Sequence, residues 1–272
     1  MHKGVLIYNK ADVERNKYYI KWIKEEGKKY ELDFKLVYDD ICNNETIKRI
    51  CKEYDFVFNR SRNYKLSKEF ENLNLRVFNN SEFSKLGNDK LYAYKFIEKL
   101  DIKYAEVFSN VVEAKKYRGK IIVKPQNGHG GEGIYILDEF NEIESSSDYI
   151  YQKIIEKSIG DIRFYIINNK IVNAILRKPK KGEILSNFSK GGSVEIFKYR
   201  QEHKKIIQKI LNKVEIDYGG IDFILSKDGE ILFNEFEDSV GSRMLSHLGI
   251  NNTMELLLSH IKSELERGEG LW

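Results

Sequence analysis

The chain opens on Gly4-Val5-Leu6-Ile7-Tyr8, a short apolar run of the kind a buried strand presents. Residues 12–27 set Val13, Ile20 and Ile23 among charges, which predicts a helix stopped by Gly27. Phe34 to Tyr38 and Asp55 to Asn59 predict two further strands, with Glu45 to Glu53 a helix between them. This alternation predicts a small α/β layer domain with a parallel sheet. A second section begins near Lys90. Lys90 to Leu100 reads as a helix with Leu91, Tyr94 and Ile97 on one side, and Ile121 to Lys124, Ile134 to Leu137 and Tyr149 to Gln152 read as strands. In a third section, Arg163 to Asn168 and Lys170 to Arg177 alternate as strands joined at Asn168-Asn169, a hairpin-type turn. The polar stretch 180–193, with Gly182, Gly191 and Gly192, predicts a loop. Gln201 to Asn212 reads as a helix, Gly220 to Leu225 and Glu230 to Phe236 as strands around Lys227-Asp228-Gly229, and Thr253 to about Glu266 as the last helix. There is no internal repeat and no low-complexity linker.

Composition narrows the classes. A chain of 272 residues allows one large domain or two to three small ones. Hydrophobic residues at 41% and aromatics at 12% suffice for a real core and argue against disorder. Two prolines, Pro125 and Pro179, exclude collagen-like and proline-rich linker classes. The 46 basic and 42 acidic residues leave a net charge of +4 with the signs interleaved, so no nucleic-acid partner is expected. No apolar run of ~18 residues occurs, so no membrane partner or span is expected either. Met1 to Lys10 lacks the long apolar stretch of a secretory signal, and the two cysteines, Cys42 and Cys51, fit a reduced, cytoplasmic protein.

Two groups of residues carry candidate chemistry. Gly128-His129-Gly130-Gly131-Glu132-Gly133 matches GxGxxG but lies between two strands, not between a strand and a helix, so it is not a dinucleotide fingerprint. A glycine loop between antiparallel strands can fold over phosphates, because backbone N–H groups then approach the oxygens without side-chain collision. Lys124 ends the preceding strand. A tight hairpin without a ligand is the plain alternative, but four glycines in six residues exceed what a turn needs. The second group is Asp222, Glu235 and Glu237. Alternation along a strand turns Glu235 and Glu237 the same way, with Asp222 on a neighbouring strand. Three convergent carboxylates would repel, and a hard cation such as Mg²⁺ resolves this. An exposed polar strand face is the alternative, against which stand Ile221, Phe223, Ile231, Leu232 and Phe233. Asn59-Arg60-Ser61-Arg62-Asn63 follows a strand end, where open α/β sheets place ligands; Arg60 and Arg62 there form either an anion site or a basic surface loop.

Taken in order, Asn88-Asp89-Lys90, Val123-Lys124-Pro125, the glycine loop, Tyr151 to Glu156, Gly160-Asp161-Ile162-Arg163, Ile175-Leu176-Arg177, Ser186-Asn187, Gly220-Ile221-Asp222 and Asn234-Glu235-Phe236-Glu237 resemble the ATP-grasp superfamily. Within it they resemble the branch of the ribosomal-protein glutamate ligases, from about Asn88 to Val240. The resemblance implies a mixed α/β and α+β architecture: an N-terminal α/β (pre-ATP-grasp) domain over 1–87, a central subdomain with the glycine loop over 88–153, and a C-terminal subdomain with the metal site over 154–272. The two α+β subdomains clasp ATP. By position, Lys90 and Lys124 would contact the phosphates and Gly128, His129, Gly130, Gly131 and Gly133 would close over them. Gln152, Lys153 and Ile154 would line the adenine pocket, and Glu156 would accept from the ribose. Arg177 and Asn187 would meet the γ-phosphate or the intermediate, and Asp222, Glu235 and Glu237 would hold Mg²⁺, with Mn²⁺ as the alternative ion. Simpler roles stay open for three residues: Lys90 as a solvated helix start, Lys153 as a surface residue, and Arg163 as the ion-pair partner of Asp161 or Glu235.

The relatives usually end the metal motif with Asn where this chain has Glu237. The following Asp238 to Met244 lacks their proline-glycine. Arg243 in that segment is a candidate to hold a substrate carboxylate, or to cap a helix surface. The activity implied is ATP-dependent ligation of a carboxylate to an amine through an acyl phosphate, releasing ADP and phosphate. Amino acids or a peptide would be the substrates, and loop 180–193 the lid. A homodimer is compatible with this. Two alternatives are a kinase of the same fold acting on a small-molecule hydroxyl, and an ATP-binding module without catalysis.

Overall fold

In a computed structural model, residues 1–108, 110–117, 119–128, 132–137, 148–155, 158–180 and 191–269 are described. Three sheets organise them. The first holds β1 (His2–Tyr8), β2 (Leu32–Tyr38), β3 (Phe56–Asn59) and β4 (Arg76–Phe78), all parallel, in the order β2-β1-β3-β4. Helices α1 (Lys10–Gly27), α2 (Asn44–Glu53) and α3 (Tyr64–Asn72) make its connections. The parallel sheet expected from the strand–helix alternation is therefore present. Next come α4 (Ser81–Asn88) and α5 (Lys90–Glu98), then the second sheet. That sheet contains β5 (Val107–Phe108), β6 (Ile121–Pro125), β7 (Tyr135–Leu137) and β8 (Tyr149–Lys153) in the antiparallel order β5-β8-β6-β7, with α6 (Val111–Lys116) beside it. The third is antiparallel and ordered β11-β10-β9-β12-β13, from β9 (Ser158–Ile167), β10 (Lys170–Lys178), β11 (Ser193–Ile196), β12 (Tyr218–Ser226) and β13 (Ile231–Glu237). Helices α7 (Gln201–Leu211), α8 (Arg243–His247) and α9 (Thr253–Glu269) complete the chain.

Local chemistry explains many of the boundaries. Each helix from α1 to α6 starts behind an Asn or Asp whose side chain accepts a backbone N–H of the first turn: Asn9, Asn43, Asn63, Asn80, Asp89 and Asn110. The turn between β9 and β10 has Asn168 at φ 50° and Asn169 at φ 53°. These are the two left-handed residues that a tight hairpin matching strand twist requires.

The third sheet is buried on both faces, and strand alternation divides its residues between two cores. Phe164 and Ile166 pack with Phe83, Tyr94, Ile97 and Phe223 beneath α4 and α5. Tyr165 and Ile167 face the other way, toward Phe56, Phe58 and Phe78 of the first sheet and Leu257, Leu258 and Ile261 of α9. The third sheet is thus fixed against the first. Among the described residues no helix is long and apolar enough to cross a membrane.

Candidate active site

Several of the expected site residues, Lys90, Lys124, Gln152, Glu235 and Glu237 among them, lie where the second and third sheets meet. Lys124, the fourth residue of β6, is only 5% exposed, and its Nζ donates to Asn234 Oδ1 on β13 at 2.9 Å. Tyr94 of α5 reinforces the junction by donating to the Asn234 carbonyl at 2.7 Å, and Gln152 Nε2 donates to the Tyr94 hydroxyl at 2.8 Å. Lys90 opens α5 and is also buried; its Nζ donates to the carbonyl of Gly128. Gln126 bonds back to Asp89 at 3.0 Å, so the start of the glycine segment is tied to the start of α5.

Burial disfavours the charged form of both lysines. It pushes Lys124 down to about 8 against the attraction of Glu235, and it lowers Lys90 against Glu235, Glu237 and Asp89. Two buried ammonium groups held beside carboxylates suit an anionic ligand that would complete their solvation.

The described ends of the glycine loop both lean on Pro125. A Cβ on Gly128 would lie 2.8 Å from Pro125 Cβ, and one on Gly133, at φ 68°, would lie 2.9 Å from Pro125 Cγ. Any larger residue at either position would push the loop off the strand that carries Lys124. His129, Gly130, Gly131, Glu156 and Asn187, and positions 181–190 of the expected lid over 180–193, lie outside the described residues.

Gln152 is buried and donates its amide N–H to Tyr94, and among the described residues its Oε1 has no partner. Lys153 turns its ammonium over the Tyr117 ring at 4.7 Å, 3.9 Å from Glu106. Ile154 is buried. The backbone N–H groups of Lys153 and Ile154 already bond to Glu106 and Lys120 carbonyls at 2.9 and 3.3 Å. Arg243 is exposed at the first turn of α8, and its side chain makes no hydrogen bond or ion pair among the described residues.

Across the third sheet, register places six charged residues on one face. Arg177 stands opposite Asp161, Arg163 opposite Asp222, and Asp222 opposite Glu235, with Glu237 two residues further on. Arg163 is therefore paired with neither Asp161 nor Glu235. Its Nε and Nη2 donate to the two oxygens of Asp222 at 2.8 and 2.7 Å, and Nη2 also reaches Glu237 at 3.0 Å. Arg177 bonds Asp161 and the same Asp222 oxygen. Burial alone would raise Asp222, but Arg163 and Arg177 outweigh it and hold the carboxyl below its ordinary range. Arg163 and Asp161 were readable as residues of one strand face, but their partners lie 59 and 16 residues away along the chain.

Asp222 thus meets two guanidiniums instead of forming a three-carboxylate cluster with Glu235 and Glu237. Among the described residues no three His, Cys, Asp or Glu side chains are grouped to hold a metal. Glu235 and Glu237 still fit a hard cation. They are half-buried oxygen donors on one face of β13, and Mg²⁺ is commonly held by one or two carboxylates together with phosphate oxygens.

Arg60 and Arg62 do not form an anion site together. Arg62, at φ 65°, pairs with Asp12, while Arg60 is buried among aromatic rings. A cavity of about 400 Å³ lies elsewhere, among Asn169, Asp217, His260 and Glu264, and none of the expected site residues lines it.

A family model described as the RimK-like ATP-grasp domain matches residues 97–260. The chain is 26% identical to the protein named "Uncharacterized protein MG011 homolog" of Mycoplasma pneumoniae, over 97% of this chain and 95% of that one. It is 28% identical to a "Probable alpha-L-glutamate ligase" of Shewanella pealeana over 65% of this chain, a match that spans 42% of that longer protein. The fold is shared with D-alanine–D-alanine ligase from Bacillus anthracis at a TM-score of 0.71 and 14% identity, covering 99% of this chain and 100% of that one.

Proposed function

The chain belongs to the RimK-like ATP-grasp domain family, and from that premise we propose that it joins a carboxylate to an amine using ATP, releasing ADP and phosphate. The observation that carries this reading is the junction of the second and third sheets, where Lys90, Lys124 and the start of the glycine loop stand beside Glu235 and Glu237. In this reading residues 88–153 and 154–272 are the two halves that clasp ATP, and residues 1–87 close the substrate side.

Lys90 and Lys124 draw the phosphate charge into a site with little water around it, where their field acts strongly. The loop from Gly128 to Gly133 covers the phosphates, and Gln152, Lys153, Ile154 and Glu156 take the nucleoside. A carboxylate oxygen of the substrate attacks the γ-phosphorus. The bond to the bridging oxygen breaks with its electron pair going to ADP, and an acyl phosphate forms. The amine nitrogen then attacks the acyl carbon, gives up a proton, and phosphate departs. No protein nucleophile is needed; the chain's part is positioning and charge. Mg²⁺, when bound, would neutralise phosphate oxygens, with Glu235 and Glu237 holding it and Asp222 fixed behind them by Arg163 and Arg177. Arg177 and Asn187 would meet the transferred phosphoryl group or the intermediate, and Arg243 would receive a substrate carboxylate as a bidentate partner.

The name of the Shewanella relative supports an amino acid as one of the two substrates. The test is incubation with Mg-ATP and pooled amino acids and small carboxylates, with and without hydroxylamine, followed by measurement of ADP, phosphate and hydroxamate. Pool-dependent phosphate with trapped hydroxamate supports the ligase. ADP formed with a phosphorylated pool component and no free phosphate overturns it in favour of a kinase, and ATP binding without turnover of any pool overturns it in favour of a binding module.

A further inference from the structure

The segment that follows β13 leads from Glu237 to Arg243, and side chains of other elements hold it. Asn79 donates to the Asp238 carbonyl at 2.9 Å, Ser84 Oγ to the Asp238 carboxylate at 2.9 Å, and Tyr165 to the Gly241 carbonyl at 3.2 Å. Another is Arg60, which comes from the first sheet. Its Nη2 donates to the carbonyls of Ser239 and Val240 at 3.0 and 2.9 Å, and its Nε to the Tyr8 hydroxyl at 2.9 Å.

The loop that presents Arg60 is itself stiff. Arg60 N–H extends the ladder to Ile7, and Asn59 Oδ1 accepts from Ser61 N and Oγ at 3.0 and 2.7 Å. Asn59 Nδ2 donates to Ser67 Oγ at 2.9 Å. The guanidinium is enclosed by rings, 4.8 Å from the Tyr19 centroid and 5.5, 5.8 and 5.9 Å from those of Phe58, Tyr218 and Tyr8. Arg60 is 4% exposed, and among the described residues no carboxylate pairs with it and its Nη1 has no partner.

A buried arginine without a carboxylate is an expensive way to fill space. What arginine adds is a rigid plane in which Nη2 holds two successive carbonyls while Nε is held by the Tyr8 hydroxyl, a fixed geometry that neither lysine nor methionine reproduces. We infer that Arg60 is a positioning residue. By fixing the backbone at 239–240 from the first sheet, it sets where Glu237 and Arg243 stand relative to each other during ligation. This inference rests on the ligase reading above.

The test compares wild type, Arg60→Lys and Arg60→Met, using Mg-ATP, hydroxylamine and the amino acid that supports hydroxamate formation by wild type. Expected are a fall in kcat of about tenfold or more and a rise in KM for the amino acid, because sub-ångström displacements of positioning groups cost rates of that order. ATP affinity should stay within about twofold, since the phosphate contacts come from other elements, and amide exchange over 238–243 should quicken by about tenfold or more. A residue that only stabilises the fold would lower the active fraction and leave every KM unchanged, and that result overturns the inference. Absence of hydroxamate from wild type with any pool sinks the ligase reading and this inference with it. Normal wild-type activity with unaltered variants sinks the inference alone. If both variants fail to fold, Tyr8→Phe removes only the acceptor of Nε. It should then raise the amino-acid KM by about two- to threefold, and an unchanged KM overturns the inference.

Discussion

Lys124 Nζ and Asn234 Oδ1 lie 2.9 Å apart, and the bond between them crosses from the second sheet to the third. The same asparagine takes the Tyr94 hydroxyl on its carbonyl, and Tyr94 takes the amide of Gln152. Lys124, which we propose binds phosphate, is thereby located by a residue of the third sheet and not by its own strand alone. Lys124→Met, which keeps the buried stem and removes the charge, should lower ATP turnover by about 10²–10³, the usual cost of deleting a preorganised charge contact. Initial-rate measurement of ADP release decides it, and turnover within twofold of wild type would refute the phosphate assignment.

The buried setting of Lys124 also predicts a pH dependence. Burial brings its pKa down to about 8, so the free protein loses this charge as pH rises through that value. A bound triphosphate favours the ammonium form and raises the pKa again. ATP affinity should therefore be flat below about pH 7 and weaken above about pH 8, with net proton uptake on binding near pH 8.5. Calorimetric titration in two buffers of different ionisation enthalpy measures that uptake, and zero uptake would contradict the assignment.

Arg163 neutralises Asp222, a carboxylate with no exposed surface, and reaches Glu237 besides. Arg163→Met should destabilise the fold by about 3–5 kcal/mol, because it strips one partner from a buried pair. The sign with pH follows from Asp222. Its folded pKa is depressed, so the pair's contribution is present above the ordinary carboxylate range and is lost as pH falls below about 4. Urea unfolding across pH should show the deficit of the variant largest near neutrality and shrinking in acid. A deficit independent of pH would mean that packing, not charge, is what the arginine supplies.

Much of this fold is legible in the chain because hydrophobic periodicity and turn chemistry are local. The run Gly4 to Tyr8, the Asn168-Asn169 turn and the strands carrying Lys124, Asp222 and Glu235 need no distant information. The short elements from Tyr64 to Asn88 escape notice because few apolar residues mark them, though Asn63 and Asn80 stand as caps in plain view. β11 begins at the end of a polar glycine-containing stretch and owes its existence to pairing with β10. Arg60 illustrates the harder limit. A strand end followed by Arg-Ser-Arg suggests a basic surface, and only the third sheet, packed over Tyr8 and Phe58, turns one of the two arginines inward. Likewise the carboxylate cluster was a matter of alternation alone, while the guanidiniums that claim Asp222 arrive by cross-strand register.

Gly160 lies on β9 against the neighbouring strand β10. A Cβ there would lie 2.1 Å from the Arg177 carbonyl oxygen, which is backbone and cannot swing aside. Gly160→Ala should therefore destabilise by about 1–3 kcal/mol or more through overpacking. The forced shift occurs one residue from Asp161, so it should also disturb the Arg177 pair and lower turnover. Thermal unfolding and ADP release together test this, and an unshifted melting temperature would show that the strands separate without cost.

Glu237→Asn isolates what the extra carboxylate does in this chain. Glu237 lies at the end of β13 and accepts from Arg163 at 3.0 Å, while the same guanidinium keeps its two-pronged hold on Asp222. Replacing Glu237 by Asn removes one negative charge and leaves an oxygen donor nearby, so Arg163 and Asp222 should stay paired and the fold should be little affected. A hard cation depends on ligand charge, so its apparent affinity should fall, by about tenfold for one lost charge in a partly solvated site. Activity at saturating Mg²⁺ should survive within about tenfold, with the Mg²⁺ titration shifted to higher concentration. Complete loss at every Mg²⁺ concentration would assign Glu237 a direct part in the chemistry. An unshifted titration would instead mean that its charge serves Arg163 and not the ion.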